Sequence, residues 1–304
     1  MIVQIALSHS RDFWLACILN QTMKRILTAT ILIVAVVALV LFGAPWMVTV
    51  FSAIVAGLAA YEYILITAAA GSPVPVWWMA ASVMLFFLVV NYQPQDTIAA
   101  VSLATLVLFA WSAFRTPLHR VLGETAAGLF ALLYICYPLT LLPRMLSEQM
   151  DGPAILLFLF LCVWSGDIAA LYIGKRFGRH KLSPRLSPNK TWEGAIASVV
   201  ASVIFGMALV GAGEYLSRHG SNFTRLHTSE PWWQSLILAI ILNIAAQLGD
   251  LLESALKRGA NVKDSGTLLP GHGGILDRID ALLLAAPVLW FVLALKEYYS
   301  MGIF

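Results

Sequence analysis

The chain has 304 residues, of which 60% are hydrophobic and only 12% charged, with a formal net charge of +3. Soluble domains carry about 25% charged residues, so the composition excludes an ordinary water-soluble globule. The small net charge gives no general attraction to nucleic acid, and any anion site must be argued from where the cations lie.

At the N-terminus, residues 1–22 mix His9, Arg11, Asp12 and Trp14 with apolar side chains, and Met23-Lys24-Arg25 then opens a long apolar run. No small-residue cleavage site follows a short apolar core, so this stretch reads as an upstream extension rather than a secretory signal. A membrane span needs about 20 mostly apolar residues. On that basis the pattern predicts an all-α polytopic membrane protein of about nine spans, at roughly 26–42, 46–70, 76–91, 97–113, 125–142, 153–174, 194–214, 233–256 and 281–295. Eight spans with a re-entrant segment is the competing count. Residues 23–150 are expected to form an N-terminal set of spans, and residues 151–304 a C-terminal membrane region that carries the charge-dense segments expected to be catalytic. Cys17, Cys136 and Cys162 stand singly in apolar surroundings, without metal-site spacing, and are expected to pack. Met79, Phe86 and Phe87 are expected in the core, and the pairs Trp77-Trp78 and Trp232-Trp233 at span ends are expected as interfacial anchors.

Lys and Arg are enriched in cytoplasmic loops. With nine spans, only Arg144, Arg218, Arg225 and Lys296 of the 19 basic residues fall opposite the N-terminus, which predicts a cytoplasmic N-terminus. The two most basic loops, after the sixth and eighth spans, then share that face. Ionisable groups inside spans are functional candidates. Glu62, Asp167 and Asp250 each lie on the order of 10–12 Å below the cytoplasmic surface, at a rise of about 1.5 Å per residue. Acids from three distant segments at one level predict a polar cavity open to the cytoplasm. For Glu62 alone, a catalytic role and a local pairing or capping role stay equally open.

The chemistry concentrates between Gly249 and Asp280. Asp250, Glu253, Ser254 and Lys257 share one helical face by their spacing. Lys257-Arg258, Lys263-Asp264, Gly266, Pro270-Gly271-His272-Gly273-Gly274 and Asp277-Arg278-Ile279-Asp280 follow. Asp250 and Asp277 suit Mg²⁺, a hard cation that shares its oxygen ligands with phosphates. The lysines and arginines suit phosphate charge, and His272 suits phosphate binding or proton movement. Glycines 271, 273 and 274 would let backbone amides approach an anion. An ordinary cytoplasmic loop would explain the bases but not the acids at the span ends.

Taken together, Ser254-Ala-Leu-Lys-Arg, Lys263-Asp-Ser-Gly266 and Leu269-Pro-Gly-His-Gly-Gly-Ile-Leu-Asp-Arg-Ile-Asp280 resemble the signature of the phosphatidate cytidylyltransferases, also called CDP-diacylglycerol synthases. Gly174-Lys-Arg-Phe-Gly-Arg-His-Lys181 and Ser187-Pro-Asn-Lys-Thr-Trp-Glu-Gly194 are similar to that family's other cytoplasmic loop, so the likeness covers roughly residues 160–295. The chain departs from the family at Ile168, where a Ser or Thr is usual, and at Leu171, where an aromatic is usual.

The resemblance implies a nucleotidyltransferase that converts CTP and phosphatidate into CDP-diacylglycerol and pyrophosphate in phospholipid biosynthesis. It implies Mg²⁺, with room for a second cation, on Asp250 and Asp277, with Asp280 and Asp167 as the next candidates. Lys257, Arg258, Lys263, Ser187, Asn189 and Lys190 would contact the triphosphate and Arg278 the lipid phosphate. Asp264 and His272 join the catalytic set, and Ser254 the substrate-binding set. The expected partners are CTP, the lipid and the bilayer of a bacterial-type inner membrane, with a homodimer allowed and no nucleic acid. Thr191 and Glu193 could equally be a cap and a dipole partner for the seventh span, a role compatible with anion binding. A CTP-using lipid kinase is the rival activity, and a cation-coupled transporter the rival class.

Overall fold

The computed structural model describes residues 30–149, 151–219, 224–228, 230–266, 268 and 273–300. The proposed extension 1–22, Cys17 and His272 lie outside them.

Helix α1 (Thr30–Phe42) leads into α2 (Pro45–Ala69), where Pro45 takes the first helical position and its missing N–H leaves no bond unmade. Helix α3 (Val76–Tyr92) and α4 (Thr97–Arg115) follow, linked by the single turn Pro94–Asp96. Helix α5 (Leu118–Ala131) continues through a π-helical turn, Leu132–Cys136, into α6 (Tyr137–Glu148). Pro138 accounts for the wider turn, since it lacks an N–H and its ring would strike the carbonyl of Tyr134 in a regular helix. Helix α7 (Gly152–Phe177), strands β1 (Lys181–Ser183) and β2 (Ser187–Thr191), then α8 (Trp192–Arg218), α9 (Trp232–Gly259) and α10 (Leu276–Ser300) complete the order.

Among the described residues seven helices are long and apolar enough to cross a membrane, while α3 and the described part of α1 are shorter apolar helices. The protein is therefore an all-α polytopic membrane protein apart from one small hairpin. Large apolar side chains such as Ile98, Phe114 and Leu118 point outwards from the bundle, as lipid contact allows. The α5–α6 rod begins at Leu118, earlier than the expected span 125–142, and so brings a further acid into the bundle. Glu124 is 1% exposed and accepts a hydrogen bond from Ser112 Oγ at 3.0 Å.

Met79, Phe86, Phe87, Cys136 and Cys162 pack in the core as expected. Trp77, Trp232 and Trp233 are exposed, but Trp78 is buried and donates from Nε1 to the Ala104 carbonyl at 2.9 Å. It packs α3 on α4 rather than anchoring at an interface. A helix turns adjacent residues about 100° apart, so neighbouring tryptophans take different surroundings.

Helices α7, α8 and α9 form the closest-packed group. In lipid, helices associate through small residues and interhelical hydrogen bonds rather than hydrophobic exclusion. Gly194, Ser198, Ser202 and Gly206 recur every fourth residue on the buried face of α8. Asn243 Nδ2 of α9 donates to Ser198 Oγ at 2.9 Å and Ser202 Oγ at 2.7 Å, and Ser202 Oγ donates to the Cys162 carbonyl of α7 at 2.5 Å. Gln247 extends the chain, donating to Asn243 Oδ1 at 2.6 Å and the Ala195 carbonyl at 3.1 Å. A Cβ at Gly166 would fall 2.7 Å from Ser198 Oγ and 2.9 Å from Ser202 Oγ. Gly166→Ala is therefore expected to destabilise the protein by about 1–3 kcal/mol, the usual cost of overpacking, read as a lower thermal midpoint in detergent.

Candidate active site

The polar face of α9 is built as its spacing requires. Asp250 is partly open, Glu253 is fully buried and Lys257 nearly so. Lys257 Nζ sits between two carboxylates, 2.5 Å from Glu253 Oε2 and 2.6 Å from Asp277 Oδ1 at the start of α10. Helices α9 and α10 approach closely at Gly249, where a Cβ would lie 2.6 Å from the Asp280 carbonyl. That approach brings Asp280 beside Asp250. Asp167 of α7 completes the group, within electrostatic reach of Asp250, Asp280, Lys190 and Arg278. The Asp167 side chain is exposed on α7.

The basic loop between α7 and α8 is a hairpin, with Lys181 opposite Thr191 and Ser183 opposite Ser187. Two side chains, Thr191 and Glu193, fix it to α8. Thr191 accepts from the Gly194 N–H at 3.2 Å, capping the helix, and Glu193 accepts from the Arg179 N–H at 3.1 Å and pairs with His180 Nδ1 at 2.7 Å. The capping reading of Thr191 is thus present, and the same hairpin also reaches the acids: Lys190 forms an ion pair with Asp250.

The loop between α9 and α10 is gathered around two carboxylates. Glu62, 0% exposed on α2, accepts from Ser265 Oγ at 2.9 Å, the Ile275 N–H at 3.0 Å and the Leu276 N–H at 2.8 Å. It satisfies amides at the N-terminus of α10 that the helix itself leaves open. A Cβ at Gly266 would fall 2.5 Å from Glu62 Oε1, and one at Gly274 would fall 2.7 Å from Glu62 Cδ. These glycines therefore let the loop close on the acid. Asp277 accepts from the Gly274 N–H at 2.9 Å and the Ser265 N–H at 3.1 Å. The Gly274 amide thus serves a carboxylate of its own chain rather than standing open to an anion. Glu62, one of the three acids marked by depth, takes the pairing role.

For a divalent cation, the donors are of the right kind. Asp167, Asp250, Glu253, Asp277 and Asp280 outnumber the nearby Lys190, Lys257 and Arg278. Glu253 Oε1 is buried without a hydrogen-bond donor. Among the described residues no three ligating side chains converge on one point. Mg²⁺ is commonly held by one or two carboxylates plus substrate phosphates, and that arrangement fits. Lysine ammonium groups already sit on both Asp250 and Asp277, marking each as a place where positive charge is bound.

The structure thus brings together Asp167, Lys190, Asp250, Lys257, Asp277 and Asp280. Ser187 and Asn189 stand on the hairpin strand that carries Lys190, with Asn189 exposed. Ser254 is half-buried on α9, while Arg258, Lys263, Asp264 and Arg278 are exposed. Ile168 and Leu171 are each 54% exposed, so neither departure fills a packed position in the site. Ser265, 4% exposed and bonded to both Glu62 and Asp277, was not singled out by sequence. A serine next to a charged loop residue has no distinguishing pattern. Glu253 was visible as a span-end acid, but its burial was not.

The profile of the cytidylyltransferase family matches residues 23–296. A Brucella suis biovar 1 protein named phosphatidate cytidylyltransferase is 40% identical over 187 residues, covering 62% of this chain and 60% of that protein. A Staphylococcus haemolyticus protein of the same name is 41% identical over 143 residues, covering 47% of this chain and 50% of that protein. The chain spans about 60% of the length of the Brucella relatives it matches. With its acid cluster, paired lysines and clamped loop inside a match that runs over nearly its whole length, the chain belongs to the cytidylyltransferase family.

Proposed function

We propose that the protein transfers the cytidylyl group of CTP to phosphatidate, releasing pyrophosphate and forming CDP-diacylglycerol. The observation that carries this reading is the placement of two lysines from different elements, Lys190 of the hairpin and Lys257 of α9, on carboxylates of one acid cluster. Such a cluster suits a reaction between two anions, where positioning and charge neutralisation supply most of the rate. An oxygen of the lipid phosphate attacks the α-phosphorus of CTP, the bond to the β-phosphate oxygen breaks, and pyrophosphate leaves in line. Lys190, with Ser187 and Asn189 on the same strand, receives the triphosphate, and Arg258 and Lys263 stand at the loop beyond. Lys257 stays between Glu253 and Asp277 and fixes the carboxylate that faces the reactants. Arg278 meets the lipid phosphate. Asp250 and Asp277 would hold Mg²⁺, with Asp280 and Asp167 beside them; when bound, the ion offsets charge on the phosphates. The concentration of Lys and Arg in the segments after α7 and at the end of α9 supports a site facing the cytoplasm of a bacterial inner membrane, where CTP arrives from solution and the lipid from the side.

The test uses the purified chain in detergent with phosphatidate, CTP labelled at the α-phosphate, and varied Mg²⁺. Label should enter the lipid fraction only when Mg²⁺ and phosphatidate are both present. Transfer of label from the γ-phosphate instead would make the protein a lipid kinase.

A further inference from the structure

Tyr134 occupies the π turn Leu132–Cys136, which packs against α2, α3 and α10. Its ring stacks on Phe130 with centroids 5.1 Å apart, and Phe130 in turn lies 6.2 Å from the Tyr63 ring. The hydroxyl is within electrostatic reach of Asp280, Glu253 and Asp250. It is also buried without any hydrogen-bond partner. A buried unpaired hydroxyl is costly, and native structures keep few of them without a reason. π turns recur at functional sites. Here the turn carries a phenol with an unused proton, within electrostatic reach of three acids. The two sides of the acid cluster also differ in chemistry. Lys190 comes from the hydrophilic hairpin, whereas Tyr134 comes from an aromatic wall formed with Phe130 and Tyr63.

We propose that Tyr134 is a substrate-contacting residue whose hydroxyl donates a hydrogen bond to a phosphate oxygen of the lipid substrate, on the apolar side of the acid cluster. The proposal rests on the transfer reaction above. A triphosphate oxygen offers the same acceptor chemistry, but the aromatic wall fits the acyl-bearing partner and the hairpin fits the nucleotide.

Tyr134→Phe keeps the ring stacked on Phe130 and removes an oxygen that bonds to nothing in the fold, so its thermal midpoint in detergent should equal or exceed that of wild type. Steady-state kinetics with phosphatidate in mixed micelles at saturating CTP should show a KM for the lipid raised about tenfold or more, the scale of a lost hydrogen bond to a charged group. The KM for CTP should stay within about twofold, well under the loss of one such bond. A variant with unchanged lipid KM, or with only the CTP KM raised, would overturn the proposal. Absence of any α-label transfer by the wild-type protein would instead overturn the reaction itself. In that case, binding of short-chain phosphatidate, measured calorimetrically, decides Tyr134: equal affinity in wild type and Tyr134→Phe rejects it, and weakened affinity in the variant supports it.

Discussion

Asp277→Asn is expected to lower turnover by about a hundredfold or more, the usual effect of removing one preorganised charged group from a reacting centre, and to raise the Mg²⁺ concentration needed for half-maximal rate. The carboxylate has four contacts to lose or weaken: Lys257 at 2.6 Å, the Gly274 N–H at 2.9 Å, and the Ser265 N–H at 3.1 Å to one oxygen and 3.3 Å to the other. An amide of the same shape keeps one acceptor oxygen and turns an NH₂ towards these donors. Lys257 then retains only Glu253, and a broken buried ion pair typically costs about 3–5 kcal/mol. Turnover across a Mg²⁺ series, with the thermal midpoint measured alongside, separates the two effects. Normal turnover at the wild-type Mg²⁺ optimum would remove Asp277 from the proposed metal site.

Glu62→Ala should be nearly as damaging, by a different route. The substitution leaves the Ser265 hydroxyl and the amides of Ile275 and Leu276 without their acceptor. Each unsatisfied buried group costs about 1–3 kcal/mol, so the loop should detach from α2 rather than stay in place. The expected result is a protein with its helices intact and turnover near background. Limited trypsin digestion should cut faster at Arg258, at the end of α9, and at Lys263, within the released loop. Glu62→Gln keeps one acceptor and should fall between. An unchanged digestion pattern in Glu62→Ala would show that the loop is held by something else.

Much of this site was legible because its residues obey two strong constraints. Hydrocarbon excludes charge, so acids at Asp167 and Asp250 stood out against their apolar spans. Helical spacing alone puts Asp250, Glu253 and Lys257 on one face. What stayed hidden depends on contacts between distant segments. The role of Glu62 is set by a loop more than two hundred residues away, and no local pattern distinguishes an acid that clamps a loop from one that binds substrate. Glu124 was missed because a span end can slide by several residues without changing mean hydropathy. Tyr134 was missed because a π turn depends on how one proline ring meets one carbonyl, which hydropathy does not register. The hairpin gives no strand signal in the sequence, since its strands Lys181–Ser183 and Ser187–Thr191 are short and carry Ser, Pro, Asn and Lys in place of the usual β-branched and aromatic residues.

The reach of Glu62 also bears on how the protein is made. Its partner Ser265 lies 203 residues downstream, and translation at roughly 5–20 residues per second separates the two by on the order of 10–40 s. For that interval α2 is already synthesised while the groups that will satisfy its acid do not yet exist. The loop between α9 and α10 can therefore close on α2 only after both have been synthesised, so this clamp forms late in the making of the protein.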